Sequence, residues 1–176
     1  MTKLDRLPYE DKERDCLRAV VETPRGSRNK LDYNPELGVI ELAAVLPEGT
    51  VFPYDFGFFP STKAEDGDPL DVMILMDEAV PPGTIVPVRL IGAIEAEQGK
   101  KGEDWIRNDR LLAVATAAHT HGTVQTIKDL NPKQVDQLEA FFEHYNRLKG
   151  SEFRPLNRVG PKGARALLEA ARRKNG

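Results

Sequence analysis

Residues 66–76 read DGDPLDVMILM, and this stretch joins three closely spaced carboxylates to an apolar strand pattern. Asp66, Asp68 and Asp71 are separated by a glycine, a proline and a leucine. A glycine lets the backbone turn sharply and a proline fixes φ, so the segment can direct several carboxylates at one point. Like charges held this close repel each other unless a cation lies between them. The segment therefore predicts a metal site at the start of a strand.

The ligand types in this segment narrow the choice of metal. Oxygen donors favour Mg²⁺, Mn²⁺ or Ca²⁺ over zinc, and a chain with one cysteine and three histidines offers no Cys/His quartet. A calcium-binding EF-hand loop that began at Asp66 would need glycine at its sixth position, where Asp71 stands. The alternative to a metal site is an acidic turn that only caps a hairpin.

Strand patterns lie on both sides of the acidic segment, and helical patterns follow them. Short apolar runs of strand type occupy residues 17–22, 30–33, 39–46, 72–76, 85–97 and 111–115. Residues 51–60, VFPYDFGFFP, are too broken for a helix and too apolar for an exposed loop, which indicates irregular backbone that lines or supports a site.

The hydrophobic period changes after residue 130. Asn131, Pro132 and Gln134 form a capping-box pattern, and apolar residues then recur at spacings of three and four until Gly150. A second helical pattern covers residues 163–174. Strands followed by helices predict an α+β fold with a compact antiparallel barrel or sheet.

Composition predicts one domain over residues 1–176, with an N-terminal arm at 1–15 and a C-terminal helix at 160–176. A net charge of −3 argues against nucleic acid as a partner. No apolar run approaches the roughly 18 residues of a membrane helix. Cys16 is the single cysteine and the N-terminus has no signal-type core, so we expect a cytoplasmic protein.

The residues also resemble a known family, the soluble (family I) inorganic pyrophosphatases. DGDPLDV at 66–72 is similar to the family signature, and similar segments follow the family's order over roughly residues 17–150: VVETP at 20–24, GSRNK at 26–30, FPYDFGFFP at 52–60 and FFEHY at 141–145. The resemblance implies a five-stranded antiparallel, OB-like β-barrel with two flanking helices. It also implies Mg²⁺-dependent hydrolysis of inorganic pyrophosphate by a metal-activated water, Mn²⁺ as a possible substitute, and a homo-oligomer, a hexamer in bacterial relatives.

The resemblance assigns roles to particular residues of this chain. Asp68 is the expected catalytic base. The expected metal ligands are Asp66, Asp71, Glu103, Asn108 and Glu22, of which Glu103 and Asn108 are placed by counting back from Leu111. The expected substrate-binding residues are Lys30, Arg110 and Tyr145.

Four positions depart from the family pattern. Ala44, Phe56, Asn108 and Asn146 stand where the family has arginine, tyrosine, aspartate and lysine. One interpretation is a divergent pyrophosphatase whose cations come from elsewhere; the candidates are Arg28, Arg107, Arg110, Arg154, Arg158 and Lys162. The alternative is a protein of the same fold that acts on another phosphoanhydride, or that binds metal or phosphate without catalysis.

Overall fold

The computed structural model describes residues 3–172. Within them lie ten strands and two α-helices, with short 3₁₀ turns at Leu4–Arg6 and Ile127–Asp129. The strands are β1 (Glu10–Asp11), β2 (Cys16–Thr23), β3 (Asn29–Asn34), β4 (Val39–Val45), β5 (Asp55–Phe59), β6 (Leu70–Leu75), β7 (Ile85–Gly99), β8 (Ile106–Arg107), β9 (Arg110–Ala115) and β10 (Glu152–Val159). The helices are α1 (Pro132–Leu148) and α2 (Pro161–Ala170).

Five of these strands close into a barrel, as the resemblance implies. The pairing runs β2–β5–β6–β9–β7, and β7 pairs again with β2. Four of the five pairings are antiparallel, whereas β6 and β9 run parallel. The parallel pair matters for the site, because it brings the starts of β6 and β9 to the same edge of the barrel.

Both faces of the central strands are buried, which explains their nearly continuous apolar sequence. Val72 and Ile74 of β6 enter one apolar cluster, which also holds Leu168 of α2. Met73 and Leu75 point the other way, into a second cluster that holds Phe142 of α1. The two helices therefore cover opposite sides of the same strand.

Helix α1 forms as its sequence predicts. Asn131 accepts from the Lys133 amide, and the Gln134 side chain accepts from the Asn131 amide, so both halves of the capping box are present. Helix α2 begins at Pro161, two residues before the predicted start, and ends at Ala170. The predicted continuation to 174 or 176 reaches residues 173–176, which, like residues 1 and 2 of the predicted arm, lie outside the described part of the chain.

Two predictions about strands were wrong or incomplete. The 51–60 segment is not irregular throughout, since β5 forms the barrel wall between β2 and β6. Strand β10 was not predicted at all, because its sequence EFRPLNRV contains Pro155 and mostly exposed polar residues. It pairs only with β7, at an edge where proline and polar side chains are tolerated.

Strands β1 and β8 extend the sheet beside β2 and β7, whereas β3 and β4 form a separate hairpin beside the barrel. The Tyr33 amide of β3 donates to the Glu22 carboxylate of β2, with a separation of 2.7 Å between nitrogen and oxygen. The Thr23 hydroxyl also bonds both backbone groups of Leu31. These contacts fix the hairpin against the barrel and thereby position its side chains. No helix within residues 3–172 is both long and apolar enough to cross a membrane.

Candidate active site

A cavity of about 300 Å³ lies where the barrel edge, the β3–β4 hairpin and the end of α1 meet. Eight of the nine residues predicted for the site line it: Glu22, Lys30, Asp66, Asp68, Asp71, Asn108, Arg110 and Tyr145. These residues come from four strands, two loops and one helix, so only the folded chain brings them together.

The loop before β6 turns as its glycine and proline predict. Gly67 has a φ of +95°, a conformation that residues with a Cβ rarely adopt. The Asp66 carboxylate accepts from the Asp68 amide at 3.1 Å, which closes the turn around Gly67. Burial raises the pKa of Asp66, and the nearby charges of Asp71 and Asp68 raise it further. Asp68 itself is exposed at the mouth of the cavity.

Asp71 pairs with Arg110 at the barrel edge. Val72 and Leu111 are register partners in the parallel β6–β9 pair, so the residues before them lie side by side. The Arg110 guanidinium approaches the Asp71 carboxylate to 2.6 Å. Burial raises the pKa of Asp71, while the charges of Arg110 and Lys30 offset part of that effect.

Arg110 is itself almost fully buried, with 4% of the residue exposed. Its guanidinium carbon lies 5.0 Å from the ring centre of Phe142 and 5.4 Å from that of Phe153. It also donates to the side-chain oxygen of Asn108. The Arg110 Nε–H is buried and has no hydrogen-bond partner within residues 3–172. A buried donor of this kind is costly, which is consistent with a site that receives an anion.

Glu22 and Lys30 form the hairpin side of the cavity. Burial raises the pKa of Glu22 to about 7, although the charge of Lys30 and the Tyr33 amide act against that rise. Burial lowers the pKa of Lys30, and the charge of Glu22 opposes it. The Lys30 ammonium pairs with Asp32 and lies 5.0 Å from the ring centre of Phe56. Phe56 thus supplies a ring, without a hydroxyl, to the cavity wall.

Tyr145 extends from the last turns of α1 toward the cavity. Its ring stacks on Phe141 and packs edge-on against Phe52, so its position is fixed by aromatic packing. Burial raises the pKa of Tyr145 to about 12, which keeps the hydroxyl protonated near neutral pH. A protonated phenol can donate a hydrogen bond to an anion.

Glu103 is the one predicted site residue that the structure does not place in the cavity. Strand β7 runs on to Gly99 and pairs with β8, so residues 100–105 form an exposed loop outside the cavity. Gln98, near the end of β7, lines the cavity instead. Counting back from Leu111 placed Glu103 in the site because the count passed through the loop at residues 100–105. That loop leads away from the cavity.

The candidate replacement cations lie mostly outside the cavity. Of the six, only Arg110 lines the cavity. Arg28, Arg107, Arg154 and Arg158 form ion pairs elsewhere, with Glu48, Asp109, Glu97 and Glu139. Sequence reasoning missed Lys149, which does line the cavity. It follows Tyr145 by four residues, a helical spacing that places both side chains on one face and was the available signal.

The departures from the family pattern have definite locations. Ala44 is exposed on β4 opposite Lys30 and carries no charge toward the cavity. Asn146 is buried, and its amide nitrogen donates to the Phe142 carbonyl while its amide oxygen accepts from Ser151. Asn146 is therefore occupied within α1 and the turn that follows it.

The carboxylate and amide oxygens of the cavity fit a hard divalent cation, although they do not enclose one by themselves. Within residues 3–172, no three acidic, histidine or cysteine side chains converge tightly enough to enclose an ion by themselves. Asp71 turns to Arg110, and Asp66 accepts from the loop backbone. Mg²⁺ commonly uses one or two carboxylates together with waters and substrate phosphates, so an all-protein cage is not required.

Comparisons with known proteins agree with this architecture. The family model described as inorganic pyrophosphatase matches residues 19–175. The inorganic pyrophosphatase of Thermus thermophilus is 36% identical over 172 residues, which cover 98% of this chain and 95% of that protein. A Synechocystis inorganic pyrophosphatase is 34% identical over 146 residues, 83% of each chain.

Solved structures show the same likeness in three dimensions. The crystal structure of the Thermus thermophilus inorganic pyrophosphatase superposes with a TM-score of 0.87 at 35% identity, covering 97% of both chains. An inorganic pyrophosphatase from Neisseria gonorrhoeae gives a TM-score of 0.82 at 26% identity, covering 94% of both.

The closed barrel and its cavity, in which carboxylates lie beside lysine and arginine side chains, define a class of protein suited to a small polyanion. Within that class the chain belongs to the inorganic pyrophosphatase family.

Proposed function

We propose that the protein is an inorganic diphosphatase that hydrolyses pyrophosphate to two phosphates. The observation that carries the proposal is the meeting of Asp66, Asp68 and Asp71 with Lys30 and Arg110 in one cavity. Pyrophosphate is a compact polyanion, so its hydrolysis depends mainly on positioning and on neutralising charge. The names of the similar proteins support the same reaction.

Mg²⁺ is the proposed cofactor, with Mn²⁺ as a substitute. Asp66 and Asp71 would hold it, and Glu22 would lie at the edge between metal and phosphate. A bound Mg²⁺ neutralises phosphate charge and makes a water more acidic. Asn108 stays a weaker candidate ligand, because its oxygen accepts from Arg110. Glu103 is not carried forward, since it lies outside the cavity.

Asp68 is the proposed base that orients the attacking water and accepts its proton. It is the exposed member of the acidic cluster, so its carboxylate is accessible to water while its own amide is held by Asp66. The attacking oxygen forms a bond to one phosphorus atom, and the bond from that phosphorus to the bridging oxygen breaks. The second phosphate leaves with the bridging oxygen.

The cationic side of the cavity would hold the substrate. Lys30 and Arg110 would bind phosphate oxygens, with the Arg110 Nε–H as an unused donor. The protonated hydroxyl of Tyr145 would donate to a third oxygen. These contacts would hold the phosphoanhydride beside the proposed base Asp68.

A phosphate-release screen tests the reaction and its alternatives. The substrates are pyrophosphate, triphosphate and nucleoside di- and triphosphates, each with Mg²⁺ and with Mn²⁺. Preferred turnover of pyrophosphate supports the proposal. Preferred turnover of another phosphoanhydride favours the first alternative, and ligand binding without any turnover favours a non-catalytic binding protein.

A homo-oligomer, a hexamer by resemblance, and a cytoplasmic location complete the proposal. Large apolar side chains are exposed on and beside β4, among them Leu37, Leu42 and Val45, and such a surface is common at interfaces. Light scattering compares the solution mass with six times the 19.6 kDa of one chain.

The proposed cytoplasmic location agrees with the cysteine content. Cys16 is a free thiol, which suits a reducing compartment.

A further inference from the structure

Lys149 is a cation of the cavity that belongs neither to the acidic loop nor to the β3–β4 hairpin. It caps the C-terminus of α1, and its side chain lines the cavity. Helical side chains lean toward the N-terminus, so Lys149 lies over the turn that carries Tyr145. The ammonium nitrogen is 5.0 Å from the centre of the Tyr145 ring.

The other two cavity cations already have anionic partners. Lys30 pairs with Asp32, and Arg110 pairs with Asp71. The Lys149 ammonium has no hydrogen-bonded or ion-paired partner among residues 3–172. Within the same residues it makes a cation–π contact with the Tyr145 ring. Lys149 is exposed, and an ammonium that has no anionic partner of its own can form a charge-assisted hydrogen bond with an arriving anion.

The electrostatic surroundings of Lys149 agree with this geometry. Burial lowers the pKa of Lys149, and the charge of Arg110 lowers it further, while Asp71 and Asp68 oppose the change. Lys149 lines the same cavity as Arg110, Asp71 and Asp68. An anion bound between them would relieve the repulsion between Lys149 and Arg110.

We propose that Lys149 is a substrate-binding residue that holds a terminal phosphate of the phosphoanhydride beside Tyr145. This inference rests on the proposed function, because it adds a phosphate contact to the same site. Lys149 supplies a third cation to the cavity, from the C-terminal end of helix α1. Asn146 cannot serve in its place, since its amide is bonded to Phe142 and Ser151.

Calorimetry with imidodiphosphate and Mg²⁺ tests the contact without requiring turnover, because the bridging N–H of this pyrophosphate analogue resists hydrolysis. We expect Lys149→Met to bind the analogue about tenfold more weakly, as loss of one charge-assisted hydrogen bond implies. Lys149→Arg keeps the charge and should bind within about threefold of wild type. Arg147→Met removes a neighbouring charge from the same helix end, outside the cavity, and should bind like wild type.

Kinetics with pyrophosphate separates this inference from the proposed function. A binding role raises KM in Lys149→Met more than it lowers kcat. Wild-type-like analogue binding by Lys149→Met, or equal weakening by Arg147→Met, overturns the inference while leaving the hydrolase intact. If wild type binds the analogue through Lys149 but releases no phosphate, the contact stands and the proposed function fails. Wild-type protein that does not bind the analogue overturns the contact as well.

Discussion

Glu22 is a carboxylate whose charge is costly to bury. Only 8% of the residue is exposed, and burial raises its pKa to about 7 from 4.5. Ionisation is therefore harder in the folded protein than in the unfolded chain. Stability that is fully present below about pH 4.5 is lost as the pH rises to about 7, and the difference corresponds to about 3 kcal/mol.

Replacement of Glu22 by glutamine should remove this penalty in metal-free protein. With a chelator present, we expect Glu22→Gln to have a higher free energy of unfolding than wild type at pH 8, by up to about 3 kcal/mol. The difference should shrink toward zero near pH 4.5. Urea titrations at several pH values measure it, and the exposed Glu36→Gln is the control. If the free energies of unfolding of wild type and Glu22→Gln changed in parallel with pH, the pKa of Glu22 would not be raised by folding.

Strand β5 shows at the element scale why the barrel needs glycine at position 57. A Cβ built there would lie 1.8 Å from the Val20 carbonyl oxygen, because β2 and β5 pair closely at this point. The contact atom belongs to the backbone and cannot rotate away. Gly57 is therefore a steric requirement of the barrel wall.

Gly57→Ala should lower the free energy of unfolding by at least about 3 kcal/mol, the upper end of overpacking costs. Gly160→Ala is the matched control, because the nearest atom would be 3.7 Å away, and it should cost less than about 1 kcal/mol. Thermal and urea unfolding of both variants measure the difference. An unchanged midpoint for Gly57→Ala would mean that β2 and β5 are not paired as described.

The sequence predicted those elements whose signals are local. The capping box of α1 and the apolar runs of β2, β6 and β9 depend on neighbouring residues, and each of these elements formed where expected. Strand β10 has no such signal, because its pairing with β7 depends on a partner about 60 residues away. Likewise Gln98 enters the cavity through the length of β7, which spacing within a motif does not reveal, whereas the four-residue spacing from Tyr145 was a local signal for Lys149.

In the whole molecule, folding of the barrel brings the acidic and the basic residues of the cavity together. The acidic loop precedes β6, whereas the cations come from β3, β9 and the end of α1. Carboxylates that repel one another in the metal-free protein are stabilised by a bound cation, so metal binding should stabilise the complete fold.

Mg²⁺ at about 100 times its dissociation constant should stabilise the protein by about 2.7 kcal/mol, measured as a higher unfolding midpoint. Asp66→Asn should reduce this stabilisation, because it removes a proposed ligand without unpairing Arg110. Glu103→Gln should leave it unchanged, since Glu103 lies outside the cavity. If Glu103→Gln lost the stabilisation by Mg²⁺ and Asp66→Asn kept it, Glu103 and not Asp66 would be the metal ligand.

Phosphate release from pyrophosphate by the purified protein with Mg²⁺ tests the central claim most directly. Two phosphates should appear for each pyrophosphate consumed, and Asp68→Asn should lower kcat by about 10²- to 10⁴-fold, as loss of a general base implies. The unfolding midpoint of Asp68→Asn should stay near that of wild type, because the side chain is exposed. Wild-type protein that releases no more phosphate than Asp68→Asn would contradict the account.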